Sequence, residues 1–404
     1  RLCRDWSSDV CSSDLWLKYI IVYGIAMSFI QIIYGISVLN VLLQFRNIFL
    51  PLFLFFVGKS IYSTEQKRIS LINFIYFLFI LILVDVWIEH LAFSVGFSKY
   101  SFPWYTYQFN HSYRYLTSPD AAHDAVNPED SPIIGILGWP HATSATFFAL
   151  FSFLITFFLN KNKSQINTIN SPKPSLLVNW KIYGIFVLSI FVLIFLGVKM
   201  QLISFFPIIL ILFYINPNKK FSNFIGPFLF LCTILLFTKE FWMESVISKF
   251  EIAFAEKNES GSNIWLIFDF ELLKNLLSYF SNISPVYIFW GGYDYSHLWF
   301  YQYLEIRLLN FSLQLGILWL FFFLGLILSS INYCLKLIRN NLLSYNDKQF
   351  ALGTLLLIVA YSIDTLHYSR LMYWPNIDIF VVILGALSNI KIEKKNEYLK
   401  TKKI

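Results

Sequence analysis

The sequence predicts an all-α protein, a polytopic bundle of about ten transmembrane helices with a large loop on one face of the membrane. Two observations support this prediction. The 404 residues are 57% hydrophobic and 20% aromatic, only 14% are charged, and the mean hydropathy is +0.60. A water-soluble domain of this length has too little interior to bury so much apolar surface. In addition, apolar runs of about 17–25 residues recur, which is the length that crosses a hydrocarbon core.

The first fifteen residues differ from the rest of the chain, because they are polar where the following residues are apolar. The stretch DWSSDVCSSDL, residues 5–15, is the translation of a common sequencing-adapter oligonucleotide. We interpret residues 1–15 as an artefact of that origin and residues 16–404 as a single integral membrane domain. We expect the natural N-terminus, with one or more further helices, to be missing. Outside residues 1–15, Cys232 and Cys334 lie in apolar runs and indicate neither a disulfide framework nor a metal site.

The apolar runs also set the predicted topology. The predicted spans are 17–39, 43–60, 69–96, 134–159, 180–199, 201–217, 221–238, 307–332, 350–367 and 374–390. The connections after the second, fourth, sixth and eighth spans are basic, as is the tail 391–404. Alternating spans put all of these on one side, and short basic loops stay in the cytoplasm. The outer loops 97–133 and 239–306 then share the other side, and the second is predicted to contain two amphipathic helices. The net charge of +7 therefore indicates topology rather than nucleic-acid binding.

Titratable residues near the outer face are the candidates for a functional site. His141 begins the fourth span within GWPHATSATFF, residues 138–148, where it faces either lipid headgroups or a polar cavity. Lys199 lies in a tight turn between two spans, Arg307 opens the eighth span, and Arg370 lies in the short turn after the ninth. Each of these cations is compatible with simple anchoring at the interface. Together they offer the charges that hold a diphosphate group.

Three further titratable residues, Asp85, Glu89 and His90, lie on or near one face of the third span. That face is predicted to turn toward protein or water, as either a structural polar network or a proton path. The outer loop 97–133 also contains His111, Arg114, Asp120, His123 and Asp124. Because these residues lack tight metal-ligand spacing, they favour a solvated loop over a metal site.

Four stretches between residues 134 and 390 resemble, in the same order, segments of the O-antigen ligase and polymerase family of bacterial envelope glycosyltransferases. They are SPIIGILGWPHATSATFF, GVKMQLISFFPIILI, IFWGGYDYSHLWFYQYLEIRLLNFSLQLGILWL and LHYSRLMYWPNIDIFVVILGAL. The third is similar in its Gly-rich turn and in a helix with a Gly-Ile step, here Gly316-Ile317. The second departs from the family in having Val, Met and Gln where serine and threonine are common. Glu305 and Ile306 stand where ligases commonly have His-Asn, which favours a polymerase.

The resemblance implies a glycosyltransferase that joins oligosaccharide repeats carried on undecaprenyl diphosphate. Its site would face the periplasm from the bacterial inner membrane, and it would require no metal or cofactor. The candidate residues are Glu305, His297 and His141 for the general base and Arg307, Arg370 and Lys199 for diphosphate binding. The implied partners are the lipid-linked glycan, membrane lipids, a chain-length regulator and a flippase, with no nucleic acid.

Other classes of membrane protein remain open from the sequence. The first is an O-antigen ligase, which transfers the glycan to lipid A-core or to another acceptor. A lipid or polysaccharide transporter is the second, and it predicts matching broken helices in two halves of the chain. No second copy of any polar helix is evident in the sequence. A peptidoglycan-type polymerase and a non-catalytic assembly protein complete the alternatives.

Overall fold

The computed structural model describes residues 11–98, 101–103, 135, 137, 140–164, 285–291, 315–367 and 376–391, together with short stretches between 184 and 215. These residues are 86% helical and contain no strand. The prediction of an all-α protein is therefore confirmed for the described part of the chain.

Eight helices are defined in this part of the chain. They are α1 (Cys11–Ile33), α2 (Val38–Ile61), α3 (Glu65–Ser94), α4 (Pro140–Ser164), α5 (Pro285–Trp290), α6 (Ile317–Arg339), α7 (Tyr345–His367) and α8 (Asn376–Leu387). All except the short α5 correspond to predicted spans. α1 begins at Cys11, within the segment interpreted as adapter-derived. α6 begins at Ile317, after a break at Gly316 that follows the helical residue Leu315; the predicted start of this span at 307 lies outside the described residues.

Two of these helices, α3 and α6, are long and apolar enough to cross a membrane. Shorter apolar stretches are Lys18–Ile33, Phe49–Ile61, Thr143–Phe157 and Ile377–Leu387. The described residues therefore do not reproduce the predicted count of ten spans. The predicted spans 180–199 and 201–217 are described only in short helical stretches, and 221–238 lies outside the described residues. Most of the two predicted outer loops also lies outside them.

Each of the two long apolar helices has one exposed and one buried face. Only 33% of the most apolar window of α3 and 28% of that of α6 is buried, whereas the core helix of a soluble protein is mostly buried. The exposed residues recur at helical spacing: Phe74, Phe77, Leu81, Val84, Ile88 and Leu91 on α3, and Ile317, Phe321, Leu324 and Leu328 on α6. Apolar stripes of this kind are compatible with membrane association.

Close helix contacts hold the bundle together, with α8 packed on α2 and α7 packed on α4. A Cβ atom at Gly385 of α8 would overlap the carbonyl oxygen of Phe55 on α2. On α7, a Cβ atom at Gly353 would lie 2.6 Å from the carbonyl oxygen of Phe153 on α4. Small residues at helix crossings allow such close backbone contact. The resulting van der Waals packing holds helices together where burial of apolar surface from water contributes little.

Candidate functional site

Several basic connections between helices lie together at one end of the bundle, which we call the basic end. It comprises residues 59–68, 336–348 and 389–391. Asn389 Nδ2 donates to the carbonyl oxygen of Lys59 at 2.6 Å, and the Tyr333 hydroxyl donates to the carbonyl oxygen of Ile390. The cationic residues of this end are Lys59, Lys67, Arg68, Lys336, Arg339, Lys348 and Lys391.

A buried ion pair joins two of these connections at the basic end. Arg68, in the first turn of α3, donates from Nε and Nη2 to Oδ1 of Asp347, in the first turn of α7, at 2.9 and 2.6 Å. The Arg68 Nη1 atom donates to the carbonyl oxygen of Ser63 at 3.3 Å. Ser344 caps α7 by accepting a hydrogen bond from the backbone N–H of Asp347 at 3.2 Å. The starts of α3 and α7 are therefore fixed beside each other.

The helices that begin or end at the basic end have their other ends on the opposite side of the bundle, which we call the far end. α4 runs antiparallel to α7, since Thr156 Oγ1 donates to the carbonyl oxygen of Gln349 at 3.4 Å while Gly353 contacts Phe153. α3 and α6 contain 30 and 23 residues, which corresponds to about 45 and 35 Å of helix. The far end consequently contains the last turns of α1 and α3, the first turns of α4 and α6, and α5.

Two polar side chains of α1 bind the backbone of other elements at the far end. The Tyr23 hydroxyl donates to the carbonyl oxygen of Leu315 and lies 3.1 Å from that of Phe289. Gln31 Nε2 donates to the carbonyl oxygen of Trp290 at 3.1 Å. Both side chains belong to buried residues. Carbonyl groups at a helix end and at a helix break have no partner within their own helix, and these two side chains satisfy them.

Ring packing strengthens the same contact. The Tyr23 ring is stacked on Trp290, with ring centroids 5.5 Å apart and an interplanar angle of 13°. Eleven residues later, just after the end of α1, Tyr34 meets Tyr287 of α5 edge to face at 6.1 Å. Offset stacking and edge-to-face pairs of this kind are each worth about 0.5–1.5 kcal/mol beyond burial of their area. α5 is therefore held on the last turns of α1 by side chains and by hydrogen bonds together.

Gly316 makes this arrangement possible by its lack of a side chain. Its φ of +87° lies in the left-handed region, and a Cβ atom there would overlap both the Phe289 carbonyl oxygen and the Tyr23 hydroxyl. Any other residue would be strained and would push α5 away from the start of α6. We define the clamp as Tyr23, Gln31 and Gly316. It brings residues 289–290 into contact with residues 315–316.

A second buried contact of the far end joins α3 to the chain that leads into α4. Glu89 is fully buried, and its Oε2 atom accepts a hydrogen bond from the backbone N–H of Gly135 at 3.3 Å. Gly135 packs directly on Thr143, since a Cβ atom at Gly135 would lie 2.6 Å from Thr143 Cγ2. Of the three residues predicted on one face of α3, Glu89 is buried, whereas Asp85 and His90 are partly exposed. This hydrogen bond is compatible with a structural polar network, one of the two roles predicted for this face of α3.

The predicted site residues lie almost entirely outside the described residues. Glu305, His297, Arg307, Arg370 and Lys199 belong to this group. The backbone of His141 lies in the first turn of α4, but its side chain is outside the description. In the sequence, Glu305, His297 and Arg307 lie between residues 289–290 and 315–316 of the clamp.

Sequence reasoning missed Tyr23, Gln31 and the ion pair of Arg68 with Asp347 as important residues. Gln31 offered a signal, since an amide inside an otherwise apolar run needs a hydrogen-bond partner. Tyr23 offered none, because tyrosine is common in apolar helices of this chain. Within the described residues no group of three or more His, Cys, Asp or Glu side chains is arranged to hold a metal ion. The predicted solvated loop with His111 and His123 lies outside that part of the chain.

No protein-family model, curated protein or solved structure matches this chain. The helical fold, the two ends of the bundle and the clamp are therefore the observations from which a function is proposed.

Proposed function

We propose that this protein is a membrane glycosyltransferase that polymerises oligosaccharide repeats carried on undecaprenyl diphosphate. The basic end faces the cytoplasm and the far end faces the periplasm of a bacterial inner membrane, as the distribution of Lys and Arg favours. The activity is inferred from the resemblance to the O-antigen ligase and polymerase family. The structural observations that support it are the helical bundle with exposed apolar faces on α3 and α6 and the collection of cationic residues at one end.

The proposed chemistry is a substitution at the anomeric carbon of the donor glycan. A hydroxyl group of the acceptor sugar attacks this carbon, and the bond from the carbon to the diphosphate oxygen breaks. Undecaprenyl diphosphate leaves as an anion with the electron pair of that bond. A general base takes the hydroxyl proton, and Glu305, His297 or His141 is proposed for this role.

Cations are proposed to stabilise the leaving group. Arg307, Arg370 and Lys199 come from separate parts of the chain and are assigned to the diphosphate, whose negative charge increases as the bond breaks. Guanidinium groups suit this task because they donate paired hydrogen bonds to phosphate oxygens. The chain-length regulator and the flippase implied by the resemblance would act on the same periplasmic face.

The exposed apolar stripes of α3 and α6 support the proposed location. Both helices turn apolar residues outward, from Phe74 to Leu91 on α3 and from Ile317 to Leu328 on α6, and acyl chains are the surrounding that such stripes fit. A lipid-linked substrate would reach the far end from the same hydrocarbon phase without passing through water.

The test uses a bacterial strain that assembles a repeat-unit polysaccharide and lacks its own polymerase. The complete natural gene is expressed there, and the surface polysaccharide is separated by length on a gel. We expect a ladder of repeat lengths, which Arg307→Ala and Arg370→Ala reduce to a single repeat at unchanged protein level. Arg339→Ala, an exposed arginine of the basic end, is the matched control and should leave the ladder intact.

The alternatives give other patterns in the same strain. If the protein is a ligase, long lipid-linked chains accumulate in a strain that lacks a ligase, and expression of this protein moves them to the acceptor. If it is a transporter, complementation restores export without changing the number of repeats per chain. Either pattern would contradict the polymerase assignment.

A further inference from the structure

We propose that Lys67 and Lys348 form a docking site for the phosphate group of an anionic phospholipid at the basic end. The apolar stripe of α3 takes the acyl chains of the same lipid. The inference goes beyond the proposed function: it rests on the proposed place in a membrane and needs no transferase activity. The proposed chemistry at the far end uses neither of these lysines.

The relative direction of α3 and α7 is the first step. α4 is antiparallel to α7, and its contacts with α3 are antiparallel as well. Phe79, in the middle of α3, is stacked on Phe147 of α4 at 4.9 Å, whereas Glu89, near the end of α3, binds Gly135, which precedes α4. Both α3 and α7 therefore start at the basic end and run in the same direction toward the far end.

Helix geometry then puts both lysines on the same side of the buried ion pair. Lys67 precedes Arg68 on α3, and Lys348 follows Asp347 on α7. Successive side chains of an α-helix are rotated by about 100° around its axis. When two parallel helices face each other through Arg68 and Asp347, the residue before the contact on one helix and the residue after it on the other project to the same side. Lys67 is exposed and Lys348 is half-buried, so both contribute to the surface there.

The balance of charge favours an anion on this surface. The three stretches of the basic end contain seven Lys and Arg residues but only two acids, Glu65 and Asp347. Both acids have partners: Asp347 accepts from Arg68, and Glu65 Oε1 accepts from Asn346 Nδ2 at 2.8 Å. Lys67 lies in the first turn of α3, where the helix dipole disfavours a cation. Helix stability therefore does not explain a lysine at this position.

The neighbouring surface of α3 favours a lipid as the source of the phosphate group. Lys67 lies about two helical turns before Phe74, where the exposed stripe of α3 begins, and the stripe continues to Leu91. A phospholipid has its phosphate group next to its acyl chains, and the lysines and the stripe follow in the same order. Lysine side chains extend to the headgroup level from such positions, and cation clusters beside membrane helices bind anionic headgroups. A soluble phosphate would contact the lysines alone.

The buried ion pair fixes the backbone beside both lysines before a lipid binds. Arg68 donates two hydrogen bonds to one carboxylate oxygen of Asp347, and Thr64 accepts a hydrogen bond from the backbone N–H of Lys67 at 3.4 Å. Because the two helix starts are held together, binding orders only the lysine side chains. The entropic cost of binding is lower for such a preformed site.

The variants for the test are Lys67→Gln and Lys348→Gln, alone and together, because glutamine removes the charge and keeps most of the side-chain length. Lys67→Arg keeps the charge and is the conservative variant. The matched control is Lys18→Gln, which removes the same charge from an exposed lysine of α1. That helix packs mainly on α2 and α6, so the control removes one positive charge without removing either proposed ligand group.

The full natural protein and each variant are purified in detergent and titrated with dioleoyl phosphatidylglycerol, dioleoyl phosphatidylcholine or glycerol phosphate, and native mass spectrometry counts the bound molecules. We expect each glutamine variant to weaken phosphatidylglycerol binding about fivefold and the double variant about 25-fold, the contribution of one and two cations near a lipid headgroup. Phosphatidylcholine, which has the same acyl chains, should bind all variants equally. Lys67→Arg should retain the binding, and Lys18→Gln should change it less than about twofold, because distant exposed charges are screened.

Two results would overturn the site: equal affinity of the natural protein for the two lipids, or an equal loss in Lys18→Gln and Lys67→Gln. Glycerol phosphate that binds as tightly as phosphatidylglycerol would overturn the lipid assignment in favour of a soluble phosphate. The polysaccharide ladder is a separate measurement. If the natural protein makes no ladder but selects phosphatidylglycerol through these lysines, the polymerase proposal fails and the docking site stands; a ladder without lipid selectivity has the reverse meaning.

Discussion

Arg68 and Asp347 lie 279 residues apart in sequence, yet two guanidinium nitrogens of Arg68 donate to one carboxylate oxygen of Asp347 at 2.9 and 2.6 Å. Their side chains are only 6% and 12% exposed. The pair connects the first turns of α3 and α7, and it therefore sets the relative position of two helices that lead to the far end.

We predict that Arg68→Met destabilises the protein by about 3–5 kcal/mol, because it leaves a buried carboxylate without its partner. The double variant Arg68→Met, Asp347→Leu should recover most of that loss, since apolar side chains of similar volume tolerate burial. Chemical unfolding in detergent, analysed as a double-mutant cycle, measures the coupling. If the double variant is as unstable as Arg68→Met, the lost stability comes from the contact itself and not from the unpaired charge.

Gly316→Ala should disrupt the clamp. Its φ of +87° is unfavourable for alanine, and the methyl group would overlap the Phe289 carbonyl oxygen. We expect the thermal midpoint in nanodiscs to fall, because the methyl group would separate α5 from the start of α6. Gly184→Ala is the control, because a Cβ atom there has no neighbour within 4 Å. Equal behaviour of the two alanine variants would contradict the described backbone contact.

Glu89 permits a test of the two roles that the sequence left open. Glu89→Gln keeps an oxygen that accepts the hydrogen bond from Gly135, but it cannot carry a proton at neutral pH. For a structural role, we expect Glu89→Gln to retain at least half of the polymer and Glu89→Ala to lose most of it. Gel analysis of the ladder at equal protein level distinguishes the structural role from the proton path. Loss of function in both variants would instead favour a proton path.

The exposed stripe of α6 gives a prediction about the membrane itself. Leu328 lies in the middle of α6 and is 66% exposed, so Leu328→Arg would face the hydrocarbon core. A translocon-mediated insertion assay should show a loss of about 2.5–3.5 kcal/mol for that helix. Leu342→Arg, in the exposed turn after α6, should insert as the natural sequence does. No difference between the two would contradict lipid contact at the stripe.

The sequence predicted the helical class, because apolar runs are local signals. It did not predict the helix break at Gly316, since Gly316 lies inside a run that remains apolar on both sides. The pairing of helices was beyond sequence reasoning. Which carbonyl group Tyr23 reaches, and which acid Arg68 meets, depends on contacts between residues more than 250 positions apart.

For the site, the predicted candidates were chosen by charge and by their place on the outer side. The structure contributes a different kind of residue, uncharged and distant from the candidates in sequence. Tyr23 and Gln31 bind backbone carbonyl groups, and a search for charged groups does not find them. Glu89 was found by such a search, and it accepts a hydrogen bond from Gly135, six residues before His141.

The contact between α2 and α8 has a consequence for how the protein is made. Asn389 lies 330 residues after Lys59, and ribosomes add about 5–20 residues per second, so α2 is in place roughly 15–65 s before its partner exists. During that interval the surface around Gly58 has no α8 to cover it. A chaperone or insertion factor that shields small-residue helix surfaces would therefore bind this surface of α2 for longest. Chains truncated before residue 376 lack α8, and membrane proteases should recognise and degrade them.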